Sequence, residues 1–282
     1  MSTATTEPTT RAAARPVMSP LRQTLRLTRT EFTLFMRYKT AWMFLGLAVF
    51  MFLVPLNMPG DPVVGDITTA DLALIAALGS VGLIIGIGHP SNVFTARRES
   101  LVLKQMRVSG VPRSALFGSI TLMVVLMSLA ISVLGVVMLA VVSGALPKDP
   151  VMLLLSVLLS AVSMSFLGLL ITPLARTAES AQMTAMVPMM FLLFTGGNII
   201  PTGMFPDRVV NMLGYLPTAA AGRLAQASYT GYDVFSGYES ATPAGILELW
   251  VAALPTIGIL LAWSALFLVL TVRYFRWDPR QP

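Results

Sequence analysis

The chain has 282 residues, 55% of them hydrophobic and only 11% charged, with a mean hydropathy of +0.77. A soluble domain carries about 25% charged residues, so the composition describes a polytopic membrane protein and excludes an ordinary soluble enzyme. With no cysteine and a single histidine, His89, disulfides, iron–sulfur clusters, thiolate metal sites and two-histidine zinc sites are excluded.

Residues 1–19, rich in Thr, Ala, Pro and Arg, read as a disordered cytoplasmic tail without the apolar core of a signal peptide. Residues 20–39 form an amphipathic helix. Arg22, Arg26, Arg29 and Arg37 gather on one side of the wheel; Leu21, Leu25, Phe32, Phe35 and Met36 gather on another. A basic stripe beside an apolar one suits a helix lying in the plane of an anionic membrane surface. The alternative is an ordinary positive flank of the first span.

Span one covers roughly Ala41 to Leu56, and a polar loop (57–70) without basic residues follows. Span two covers Asp71 to Gly88, where Gly82 and Gly86 form a small-residue pair that permits close helix approach. His89 and Pro90 come next. The histidine reads as interfacial, with proton coupling as the alternative.

The basic island Arg97-Arg98-Glu99-Ser100-Leu101-Val102-Leu103-Lys104-Gln105-Met106-Arg107 follows span two. At about 100° per residue it reads as one helix, with Leu101, Val102, Leu103 and Met106 on its apolar side and Arg97, Lys104 and Arg107 opposite. Gly110 and Pro112 end it.

Span three covers Leu116 to Val142, span four Val151 to Leu174, span five Ala185 to Ile200 and span six Leu249 to Val272. Between spans five and six, Val209–Tyr215 and Thr218–Ser228 are too short to cross and read as re-entrant half-helices. The fold class expected is therefore all-α integral membrane with six spans, one domain over residues 20–282. With both termini on one side, that side holds 16 of the 19 basic residues and the other holds three, while acidic residues divide five to eight. The positive-inside rule places both termini and the 97–113 island in the cytoplasm.

There is no Walker A motif, no mid-membrane Asp, Glu, Lys or Arg in any span and no nucleophile–base pair. A self-powered pump, a typical ion-coupled transporter and an intramembrane enzyme are disfavoured on those grounds. The basic residues flank apolar spans, so nucleic acid is not an expected partner.

Three features together resemble the permease subunits of type-2 ABC exporters, the class that includes daunorubicin/doxorubicin-resistance permeases. These are Arg98-Glu99-Ser100-Leu101-Val102-Leu103-Lys104 followed by Arg107-Val108-Ser109-Gly110-Val111-Pro112-Arg113; Thr195-Gly196-Gly197-Asn198 with Phe205-Pro206 and Tyr215-Leu216-Pro217; and the amphipathic helix before span one. The family often has Ser-Gly where this chain has Gly196-Gly197.

The resemblance implies a separate ABC ATPase subunit as cytoplasmic partner, carrying the ATP and Mg, with no cofactor bound by this chain. It implies a dimer with a second copy or a sister permease, in a bacterial plasma membrane. It assigns coupling to Arg98, Glu99, Leu101, Leu103, Lys104, Met106 and Arg107. On that assignment Leu101, Leu103 and Met106 enter an apolar cleft of the ATPase, and Arg98, Glu99, Lys104 and Arg107 make rim contacts. Thr195 and Asn198 are the pathway candidates, although hydroxyls and amides in spans equally pair with helix backbones. Uncharged spans suit a lipophilic drug, antibiotic or lipid as cargo. Polysaccharide export, a non-transporting scaffold or sensor, and an ion channel are the alternatives.

Overall fold

The structure is a computed structural model that describes residues 19–37, 39–58, 60–65, 67–197, 199–200, 205–238 and 240–277. The expected 1–19 tail therefore lies outside the described residues but for Ser19.

Eleven helices follow in order among the described residues: α1 (Pro20–Arg37), α2 (Lys39–Leu53), α3 (Thr69–Ser80), α4 (Gly82–Glu99), α5 (Val102–Val108), α6 (Arg113–Ser143), α7 (Pro150–Ile171), α8 (Ala178–Thr195), α9 (Asp207–Leu213), α10 (Pro217–Thr230) and α11 (Ile246–Tyr274). Two small antiparallel hairpins interrupt them, β1 (Pro62–Val64) with β2 (Ile67–Thr68) and β3 (Tyr232–Asp233) with β4 (Thr242–Pro243). The protein is a mostly helical membrane protein. By length and apolarity four helical runs can cross a bilayer: 69–99, 113–141, 150–171 and 246–274. The pair α1–α2, bent by 81°, makes a fifth if counted as one. Helix α8 starts with a polar stretch, Glu179, Ser180, Gln182 and Thr184, which dilutes its apolar part.

Helix α1 starts at Ser19-Pro20, a cap followed by a proline at the first helical position; the Arg22 amide meets the Ser19 hydroxyl at 3.5 Å. It buries Thr28, Glu31 and Phe35, spaced along one face, and packs along α6, where the Thr28 hydroxyl donates to Ser119 O at 3.3 Å. The apolar stripe Leu21, Leu25, Phe32 and Met36 stays exposed.

Span two differs from its expected end at Gly88. Helices α3 and α4 run on almost without break for 31 residues, through Pro90 to Glu99. A proline inside a helix loses one hydrogen bond and crowds the carbonyl four residues back; in spans the surrounding helices absorb that cost. Helix α4 is embedded between α7 and α8. The approach to α7 needs glycine. A methyl at Gly82 would lie 2.6 Å from the Ala161 Cα, and one at Gly86 would lie 2.7 Å from the Met164 Cβ. The small-residue pair of span two is thus a packing surface.

Helices α9 and α10 occur close to the two expected short helices. All of α10 is buried, against α3, α7 and α11. The contacts sort into two ends. At one, α4, α5, α6, α7 and the segment after α11 meet around Phe94, Leu103, Phe117, Leu169, Phe275 and Trp277. At the other, Asp149 caps α7 by accepting from the Val151 and Met152 amides at 3.0 Å and takes the Trp250 indole N–H at 2.7 Å.

Candidate functional site

The island expected as one helix is two helices with a kink between them. Helix α4 carries Arg97, Arg98 and Glu99 in its last turn. Leu101 then takes φ 62°, the one non-glycine residue with positive φ among the described residues. That conformation costs an L-residue roughly 1–2 kcal/mol. Helix α5 follows and closes on Gly110 at φ 77°, with Gly110 N–H bonded to Arg107 O and Val111 N–H to Met106 O. These are the two bonds of a Schellman ending.

The last turn of α4 is fixed by three consecutive side chains. Successive residues point about 100° apart, and here each finds a different neighbour. Arg97 forms a two-pronged pair with Glu31 of α1, at 2.6 and 2.7 Å. Arg98 is buried and donates to the Ala175 carbonyl after α7. Glu99 accepts from the Ala178 amide at the start of α8, at 3.3 Å. Asn92, one face back, donates to the Ala178 carbonyl at 3.3 Å. Two-pronged arginine–carboxylate pairs are the stronger and more directional kind. Glu31 is 3% exposed, so the pair is desolvated and each partner depends on the other.

Beyond the kink, the expected contact residues separate. Leu103 is 1% exposed, packed with Phe94, Leu116 and Phe117, and Met106 is half-buried beside them. Arg98 and Leu103 therefore do not present outward-facing groups, as a rim contact and a cleft-filling side chain would require. They hold the segment from within. Leu101, Lys104 and Arg107 are exposed, and so is Val108, at 83%. Glu99 is exposed but engaged with α8. The Arg107 guanidinium lies 6.0 Å from the Trp277 ring.

Sequence reasoning missed Glu31 and Val108. Val108 follows Arg107 at the end of the helical pattern, where an exposed apolar residue is legible only once the buried face is known. Beside the Glu31–Arg97 pair, a cavity of about 280 Å³ is lined by Phe35, His89, Asn92 and Val102 among others. The His89 ring meets Phe35 edge-on at 4.8 Å, and its buried Nε2 has no hydrogen-bond partner among the described residues. Helix α4 continues ten residues past His89 to Glu99, so the histidine is an interior residue of the helical run and not a boundary one.

Of the two pathway candidates, Thr195 is not brought to this end. The Thr195 hydroxyl donates to Phe191 O of its own helix at 2.8 Å. Asn198 lies outside the described residues. In α7, Ser165 likewise bonds its own backbone, Ser163 meets Ser264 of α11 at 2.5 Å, and the buried Ser160 hydroxyl has no partner among the described residues.

Residues 64–273 match the family described as ABC-2 family transporter protein, about three quarters of the chain. The chain belongs to the ABC-2 transporter family. Among curated proteins the sequence has no match. The matched region contains α4, the kink and α5, and leaves out α1 with Glu31. ABC-2 membership makes the chain the membrane component of an ABC transporter, the non-catalytic part, and implies an ABC ATPase as the general type of partner.

Proposed function

We propose that the chain is the permease subunit of an ATP-driven exporter of lipophilic small molecules, similar in kind to the daunorubicin-resistance permeases, with α5 as the element that meets the ATPase. On this reading residues 20–282 form one domain whose six spans are α2, α3–α4, α6, α7, α8 and α11. Both termini are cytoplasmic, α1 lies along the inner membrane surface, and α9–α10 is the re-entrant segment. Two copies, or a copy and a sister permease, enclose the pathway in the plasma membrane of a bacterium. ATP and Mg sit on the partner.

The observation that carries the reading is the kinked end of α4. An exposed surface of Leu101, Lys104, Arg107 and Val108 stands on a rigid base tied to α1, α8 and the end of α7. Closure of an ATPase pair against α5 would reach all of those helices through one joint. The distribution of basic residues supports a cytoplasmic position for that surface. Helix α7 has no charged residue, and α6 and α11 carry charges only in their end turns, at Arg113, Glu248 and Arg273; that supports an apolar cargo.

The test is co-purification with an ABC ATPase, sought first among the genes next to the chain's own, comparing wild type with Lys104→Glu/Val108→Asp. Wild type retaining the ATPase, with the variant equally folded but losing it, is the expected result. Equal retention by both removes α5 from the contact. Failure of the wild type to bind any ATPase overturns the exporter reading and directs attention to scaffold and channel assays.

A further inference from the structure

A groove of about 670 Å³ lies between α6, α7 and α11. Its walls are apolar: Phe117, Leu122 and Val125 from α6, Val162 and Phe166 from α7, Leu268 from α11. From Arg113 to Val125 the groove follows α6 for twelve residues, about 18 Å at 1.5 Å per residue. That is close to one leaflet of a hydrocarbon core of about 30 Å.

The α5 end of the groove is different in chemistry. Arg113 and Ser114 line it, both exposed. Arg113 stands 5.7 Å from the Trp277 ring centroid and Arg107 stands 6.0 Å from it, so two guanidiniums share one ring. Arg273 and Arg276 are exposed at the same end of α11. Among the described residues, none of those lining the groove is acidic. Helix α6 begins here without a side-chain cap at Pro112, which adds the positive end of a helix dipole to the same mouth. Cations at one end, held beside a buried aromatic ring, and an apolar trench behind them match one molecule part by part.

We propose that this groove is a binding site for an anionic phospholipid, with an acyl chain along α6 and the headgroup phosphate held at Arg113 and Arg107. Arg107 belongs to α5 and Arg113 to α6, so the lipid bridges the exposed helix to the bundle. The proposal does not depend on the cargo or on the identity of the ATPase.

The test is native mass spectrometry of protein taken from vesicles of equal parts phosphatidylglycerol and phosphatidylcholine. Wild type is expected to retain phosphatidylglycerol selectively. At about 1 kcal/mol per arginine near an anionic surface, Arg113→Ala lowers the retention about fivefold and Arg107→Ala/Arg113→Ala lowers it about 25-fold. Arg113→Lys, which keeps the charge, keeps the selectivity. Val125→Trp, which fills the trench and leaves the charges, lowers retention as well; a free phosphate site would be indifferent to it. Equal retention of the two lipids by wild type, or unchanged retention in the double arginine variant or in Val125→Trp, overturns the proposal. The chain has no native cysteine. Leu122→Cys therefore tests the rival occupant: disulfide-linked dimers in the membrane would mean that a second copy covers the groove, and would equally overturn it.

Discussion

Helices α5 and α10 are both short, and the protein treats them in opposite ways. Helix α10 is buried over its whole length. Its run of small residues, Ala219-Ala220-Ala221-Gly222, lets α3 and α7 close on it, and its polar groups end on nearby acceptors. Thr218 donates to Leu192 O at 3.0 Å, Gln226 donates to Leu72 O at 2.9 Å, and the Tyr238 hydroxyl donates to Gln226 at 2.8 Å. Helix α5 buries only Leu103. It hangs from a residue in a costly backbone conformation and shows Val108 to the outside. One short helix is welded into the bundle by packing. The other is presented by it, and the strength of its mounting lies in the charged last turn of α4.

That contrast can be broken most forcefully at Glu31. Glu31→Gln leaves the part-buried Arg97 against a neutral partner and should cost about 3 kcal/mol, the low end for breaking a buried pair, read as a lower unfolding temperature in detergent. Glu31→Gln/Arg97→Met should recover most of the loss. Against α10, Gly79→Val on α3 should cost about 1–3 kcal/mol by overpacking, since a methyl there would meet Ser156 Oγ at 2.9 Å and the backbone of Ala221. The damage should appear as faster, less cooperative unfolding of the whole bundle, with ATPase binding by the folded fraction intact.

Leu101→Gly sharpens the comparison. Relief of about 1–2 kcal/mol at the kink outweighs the roughly 0.4–1 kcal/mol of added freedom in the unfolded chain, so stability should rise slightly or hold. A clear fall in a denaturation series would show that the kink is not strained. Val108→Asp should change stability by less than about 0.5 kcal/mol while weakening ATPase co-purification; a large loss of stability would mean that Val108 packs against something.

The apolar runs were legible because hydropathy alone reports them: the expected spans three, four and six lie within α6, α7 and α11 but for a few residues at the end of span four. The end of span two was not legible. Pro90 reads as a breaker, and only the surrounding α7 and α8 make its lost hydrogen bond tolerable. Glu31 was hidden for a related reason. A carboxylate among arginines on an amphipathic helix looks solvated, and its partner is 66 residues away in sequence. The kink at Leu101 has no sequence signal, because leucine does not favour positive φ. The first hairpin did have one: Val63-Val64-Gly65 before Ile67-Thr68 alternates around a glycine that takes φ 57°. Of the site residues, the sequence located the segment but could not say which side chains face inward, since that is set by Phe94, Phe117 and Phe275 from three other elements.

The three-way anchoring of Arg97, Arg98 and Glu99 has a mechanical consequence. Side chains that leave a helix in three directions resist its turning about its own axis, because any such turn stretches at least one of them. They resist tilting far less, since α1, α8 and the end of α7 can tilt together with the helix. A load applied at α5 would therefore arrive in the bundle as a lever stroke and not as a torque. Rigid-body tilt of α4 with its three neighbours is the motion this joint is shaped to pass on.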